Sequence, residues 1–254
     1  MLQASLEQAL ARRQRYVTPG GALTHVSTYI GTNKMELLAQ GKTAEQVALE
    51  LADQPMAYLV EQAPDALVDP HFHEVDQFQL FIAGGGRIGT HPLAGVVVHY
   101  AGAHSPYGPI AAGPEGVNYI TLRCRWDRGA QWMPGAAQVL RNLPARRHWA
   151  YTTEPLAIGL RGAQGLQATE LHAQQPHLGG ASCVMAAAGE SVLADAAGCA
   201  GQFWYVLVGS LLDPNGQTLG ADSCIYFGPE EPPSRWQAGP AGAQWLQLRF
   251  PLHR

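Results

Sequence analysis

From Met56 onward the chain is a succession of short apolar runs, among them MAYLVEQ, QFQLFIAG, GVVVHYAG, VNYITLRCRW, QFWYVLVG and QWLQLRF, each closed by Gly, Pro, Asp or Asn. Short apolar segments punctuated by turn residues predict many short strands, and with them an all-β sandwich or barrel. Residues 1–55 read differently. Leu2 to Arg13 has helical periodicity, and Thr-Ala-Glu-Gln from Thr43 offers a capping box ahead of Val47, Leu49 and Leu51. The expectation is a short helical N-terminal extension followed by β-structure.

The β-region repeats itself. QFQLFIAG (Gln77 to Gly84) and QFWYVLVG (Gln202 to Gly209) match in pattern, and each is followed by a strand ending in a Tyr-x-Gly turn, GVVVHYAG from Gly95 and GADSCIYFG from Gly220. Two matched strands, each with a matched successor, point to two copies of one β-domain. The boundary is expected near residue 145, within the Gly-, Pro- and Arg-rich stretch after Asp127, which gives domains over 56–145 and 146–254.

Composition narrows the class. The chain is 46% hydrophobic and 14% charged, which suits a sizeable core and excludes a disordered chain. Its sixteen Lys and Arg are scattered and the formal net charge is −4, so no basic stripe exists to neutralise phosphates and nucleic acid is not an expected partner. No apolar run approaches the roughly 20 residues of a membrane span, and MLQASLEQALARRQRY reads as an amphipathic helix without a signal-peptide core, so a soluble cytoplasmic protein is expected. Cys124, Cys183, Cys199 and Cys224 lack Cys-x-x-Cys spacing and read as buried thiols outside disulfides.

Candidate chemistry lies in DPHFHEVDQFQLFIAGGG, residues 69–86. Side chains alternate along a strand, so His71, His73, Gln77, Gln79 and Phe81 share a face while Glu74 and Asp76 take the other. Two imidazoles at i and i+2 suit one metal ion, with bonds of about 2.0–2.1 Å. The opposite face carries Phe72, Phe78, Leu80 and Ile82, too apolar to meet water, and a covering element or a second copy of the chain is expected there.

This arrangement resembles the first motif of the cupin superfamily, Gly-x5-His-x-His-x3,4-Glu-x6-Gly. His71, His73 and Gly84 fall in register, Gln77 stands at the glutamate position, and Asp65 stands where the first glycine is expected. The second motif, Pro-x-Gly-x2-His-x3-Asn, is met approximately by YAGAHSPYG, with His104 one residue early and Gly108 in place of Asn. His99 and His91 compete for this third histidine. Aligning the two Tyr-x-Gly turns sets His104 opposite Glu230 and His99 opposite the apolar Ile225, which favours His104.

The resemblance covers residues 56–254 and implies two cupin-like β-barrels (jelly rolls, or double-stranded β-helices). It implies a divalent transition metal, Fe, Mn, Ni or Zn, held by His71, His73, Gln77 and His104. In the second copy Ala196 and Gly198 replace the histidines and only Gln202 persists, the pattern of a bicupin with one degenerate half. That recurrence also supports a second reading of Gln77, a hydrogen bond across the barrel. Tyr100, Tyr107, Phe81 and Trp126 read as core or pocket wall, and Arg87 and Arg123 as solvent-facing or as partners of a substrate carboxylate. The sequence shows no inward carboxylate beside the histidines.

The functional expectation is a metal-dependent cupin enzyme acting on a small oxygen-bearing organic compound, a dioxygenase or other oxidoreductase first and an isomerase second. The alternative is a bicupin that binds a small molecule without turning it over. A homodimer is expected from the apolar sheet face.

Overall fold

The computed structural model describes residues 1–18, 21, 23–32, 34–143, 148–160 and 163–252, with the side chains of residues 34–36 outside the description. The all-β reading holds. The chain forms two compact units, residues 12–156 and residues 1–11 with 157–254. The expected boundary near residue 145 lies outside the described residues.

The unit of residues 12–156 is built on a nine-stranded antiparallel sheet. Its central strand, Gln77–Ile88, lies between Val97–Ala101 and Ile110–Arg123, and the sheet continues through Met56–Gln62 and Leu23–Ile30 to Arg13–Val17 at one edge. A two-stranded piece pairs His71–Phe72 with Gln131–Trp132. The interior is closed by Phe81, Ile88, Val97, Ile110, Val117 and Tyr119.

The helical reading of residues 1–55 needs correction. Among the described residues of that stretch only Leu6–Leu10, Lys34–Ala39 and Ala44–Leu51 are helical, while Arg13–Val17 and Leu23–Ile30 are strands of the main sheet and Leu2–Ala4 pairs with Cys224–Phe227. The sequence LTHVSTYI, rich in β-branched and aromatic residues, fits a pleated half-buried surface better than a helix. The capping box at Thr43 is present: its hydroxyl accepts from Gln46 N at 3.2 Å and the Gln46 side chain accepts from Thr43 N at 2.8 Å.

The unit containing residues 157–254 has its own eight-stranded sheet, with Gln202–Leu212 between Cys224–Phe227 and Ser234–Arg249. Its interior is filled by Trp204, Trp236 and Trp245, with Trp204 ring centroids 5.7 and 5.4 Å from the other two.

The sequence repeat is a repeat of strand pairing. Phe78 faces Tyr100 across the sheet with rings 5.0 Å apart, and Phe203 faces Tyr226 with rings 4.8 Å apart. Each central strand then bends at a glycine. Gly84 has φ +74° and a Cβ there would stand 2.2 Å from Gly116 O; Gly209 has φ +75° and its Cβ would stand 2.1 Å from Gly242 O. The glycine of the histidine motif is therefore required by close backbone approach. Gly84→Ala is expected to cost about 2 kcal/mol from the left-handed backbone, with the contact adding to it. A urea midpoint equal to wild type would show that the bend relaxes freely.

Of the apolar face expected to need a cover, Phe72, Phe78 and Leu80 are at 0% exposure within the single chain and Ile82 is half-buried, so burying the first three requires no second copy. None of the four cysteines forms a disulfide. No helix among the described residues is long and apolar enough to cross a membrane.

Candidate functional site

His71 lies in a two-residue strand held from both sides. Trp132 is its partner in one direction, and in the other His71 N donates to Tyr107 O at 3.1 Å while Tyr107 N donates to His71 O at 3.0 Å. The His71 Nδ1–H is satisfied by the Asp69 carbonyl at 2.7 Å, which leaves Nε2 as an acceptor; the Tyr107 hydroxyl lies 2.8 Å from it and donates to it. Gln77 Nε2 in turn donates to the Tyr107 oxygen at 2.5 Å.

The rest of the network radiates from Arg123. Its Nη2 donates to Gln77 Oε1 at 2.8 Å and lies 3.2 Å from both ring nitrogens of His73, and its Nη1 donates to the Tyr58 hydroxyl at 2.9 Å. His73 Nδ1 sits 2.7 Å from Asp127 Oδ2, an oxygen that also accepts from Gly129 N at 2.8 Å. Arg123 Nη1 is 3.8 Å from the same carboxylate. One chain of contacts thus runs from Asp127 through His73, Arg123, Gln77 and Tyr107 to His71.

Burial sets the charge states. It pushes His71 down to about 3, with His73 adding to the effect, and His73 down to about 4, with Arg123 adding to it. Both imidazoles are neutral near pH 7. Burial also works against the Asp127 carboxylate, but Arg123 and the His73 N–H reverse it and leave this group at about 2. The Tyr107 hydroxyl is pushed up by burial. The network therefore holds one cation and one anion, Arg123 and Asp127, at 3% and 0% side-chain exposure.

Three of the four expected ligands are brought together and one is not. His71, His73 and Gln77 share the interior. His104 is half-buried at φ +61°, and its ring packs 5.9 Å from Phe72, a side chain of the opposite strand face. Its competitor His99 does point inward, with its ring 5.2 Å from that of Tyr107, and His91 is exposed. Arg123 is buried, against the solvent-facing reading, and Asp127 supplies the inward carboxylate that the sequence did not show. Asp76 is buried too, accepting from Ala103 N at 2.7 Å. Asp127 had one visible signal, its place just beyond the strand that carries Arg123; Tyr107 lay in the approximate second motif.

The network forms one wall of a cavity of about 440 Å³ inside this unit. Tyr58, Val60, Tyr119 and Trp132 are among its apolar walls, and Gln79 and Thr121 add polar atoms.

No protein-family model matches the chain, and no curated protein matches it. Solved structures do. A putative dioxygenase of Nostoc punctiforme matches with a TM-score of 0.62 at 10% identity, over 99% of this chain and 83% of the other. A mutant form of Bacillus subtilis oxalate decarboxylase matches with a TM-score of 0.55 at 10% identity, over 100% of this chain and 78% of the other. A further structure of the same decarboxylase, studied for its Mn(II) centres, matches at 0.52 with 10% identity over the same shares. The fold is the cupin jelly roll expected from the motif. At this identity the likeness is one of fold.

The cupin resemblance implies a metal, and the donors must be tested against it. The anchored Nδ1 atoms of His71 and His73 are what a metal-binding histidine shows. Against this, among the described residues no three His, Cys, Asp or Glu side chains converge on a point. Gln77 has its oxygen on Arg123 and its nitrogen on Tyr107. The set His71, His73, Gln77 and His104 does not fit a divalent ion in this arrangement.

Proposed function

We propose that the barrel of residues 12–156 binds a small, largely apolar organic molecule bearing a carbonyl or hydroxyl oxygen. The observation that carries this reading is the cavity of about 440 Å³ with aromatic walls and a satisfied polar wall at Arg123 and His73. Sites for small molecules have this constitution, mostly apolar with a few placed polar groups. Proton-transfer catalysis is less well served. An imidazole held at about 3 or 4 is a weak base at neutral pH, and a tyrosine pushed upward is a weak acid.

A panel of phenols, aromatic ketones and oxo acids, screened by thermal shift, tests the proposal. A ligand at about a hundred times its Kd stabilises by about 2.7 kcal/mol, a readily measured rise in Tm. Val60→Phe, which fills the cavity from its wall, is expected to abolish that rise. A rise that survives in this variant would place the ligand elsewhere, and no rise with any compound would sink the reading.

A second reading, a metal-dependent enzyme such as a dioxygenase or other oxidoreductase, draws on the anchored imidazoles and on the fold shared with the Mn(II) decarboxylase and the putative dioxygenase. It requires the guanidinium of Arg123 to leave Gln77 and His73.

A further inference from the structure

We propose that the guanidinium of Arg123 is the resident cation of this site, in the role that the histidine motif assigns to a metal ion, and that wild-type protein holds no divalent ion there. The inference stands independently of the ligand proposed above.

Three observations support it. First, the space that a metal would use is already taken by Arg123: its Nη2 is 2.8 Å from Gln77 Oε1 and packs against the His73 ring, 3.2 Å from each of the ring nitrogens. A divalent ion on those atoms would sit within a few ångströms of a buried positive charge. Second, the site's charge is already balanced. Asp127 offers its carboxylate to His73 Nδ1, to Gly129 N and to Arg123, and among the described residues no other carboxylate joins this network. A Gln in place of Glu suits a guanidinium that is neutralised elsewhere, since an amide oxygen accepts its N–H without adding a second anion.

Third, the other unit contains the same pair with no histidines at the corresponding offset in its sequence. Gln202 faces Arg249 across the sheet, and Arg249 Nη1 donates to Gln202 Oε1 at 3.0 Å. In the barrel with the histidines, Arg123 follows Leu122, the partner of Phe78, so Gln77 and Arg123 hold the corresponding register. Residues at the histidine offset in the second copy are Ala196 and Gly198. The Gln–Arg pair is thus a feature of both copies whether or not imidazoles are present, and Gln77 is its acceptor.

The experiment is metal retention by the full chain. Wild type, His71→Ala/His73→Ala and Gln77→Glu/Arg123→Met are each incubated with excess Mn(II) or Co(II), desalted and analysed by mass spectrometry, with visible spectra of the Co(II) samples. Wild type is expected to hold less than about 0.1 ion per chain beyond the histidine variant. The Gln77→Glu/Arg123→Met variant, which removes the cation and restores a carboxylate, is expected to gain at least about tenfold, with Co(II) bands that wild type lacks. About one ion per wild-type chain, lost in the histidine variant, would overturn the proposal. So would a variant that is folded by circular dichroism and takes up no ion. If Gln77→Glu/Arg123→Met fails to fold, the comparison of wild type with the histidine variant decides alone. A failed ligand screen leaves these outcomes unaffected, so the two proposals fall separately.

Discussion

Asp127→Ala is expected to destabilise the histidine-bearing barrel by about 3–5 kcal/mol, the cost of removing one partner of a buried charge pair. Its carboxylate has 0% side-chain exposure and is bound by His73 Nδ1 at 2.7 Å and Gly129 N at 2.8 Å, with Arg123 at 3.8 Å. Without it the Arg123 cation is left in a closed interior, neutralised by nothing nearer than the dipoles of Gln77 and Tyr58. His73 loses the acceptor that fixes its tautomer. Asp127→Asn keeps the volume and a hydrogen-bonding oxygen but removes the charge, so it is expected to lose a smaller share. Urea unfolding measures both. A loss below about 1 kcal/mol for the alanine variant would mean that water reaches Arg123, and the closed network would have to be abandoned.

The second large effect is acid sensitivity. His71, His73 and His99 are held at about 3, 4 and 3 by burial above all, against an ordinary value of about 6.5. Between about pH 6.5 and pH 4 the unfolded chain binds protons at these positions and the folded chain does not. Stability therefore rises with pH across that window and is fully present above it. Each histidine contributes up to about 1.4 kcal/mol per pH unit. Arg123 and Asp127 act on His71 and His73, and His91 and His148 act on His99. The depression of Asp127 adds a loss in the same direction below about pH 4, where its unfolded form gains a proton. Urea midpoints are expected to fall steeply from about pH 6.5 downward, and His99→Gln is expected to flatten the slope by about a third. A midpoint constant between about pH 7 and pH 5 would show that the imidazoles are hydrated in the folded protein.

Much of this was legible in the sequence, and the reason is periodicity. Strands announce themselves by apolar runs between turn residues, which placed strands at Gln77–Gly84 and Gln202–Gly209 and exposed their kinship; in the structure these strands run on to Ile88 and Leu212. Alternation put His71, His73, Gln77 and Gln79 on one side, and all four are indeed interior. The capping box at Thr43 was readable because its two partners lie three residues apart. LTHVSTYI was passed over within the region read as a helical extension, although its β-branched composition suits the strand it forms.

What the sequence did not disclose has a common physical cause: contacts made across strands depend on register, and register is a property of the assembled sheet. Phe78 pairs with Leu122, and that pairing sets Arg123 beside Gln77. Tyr107 reaches His71 through a bridge between segments far apart in the chain. Asp127 meets His73 only after the chain has crossed the sheet and returned. His104 met the second motif only approximately, one residue early, and its left-handed backbone turns the ring toward Phe72. The sequence by itself determined that this is a two-copy β-protein with a pair of interior histidines. Only the tertiary structure decided what faces them, because a cation on a strand, a carboxylate on the loop after it and a phenol at an isolated bridge are brought to one place by contacts between distant segments that no local pattern encodes.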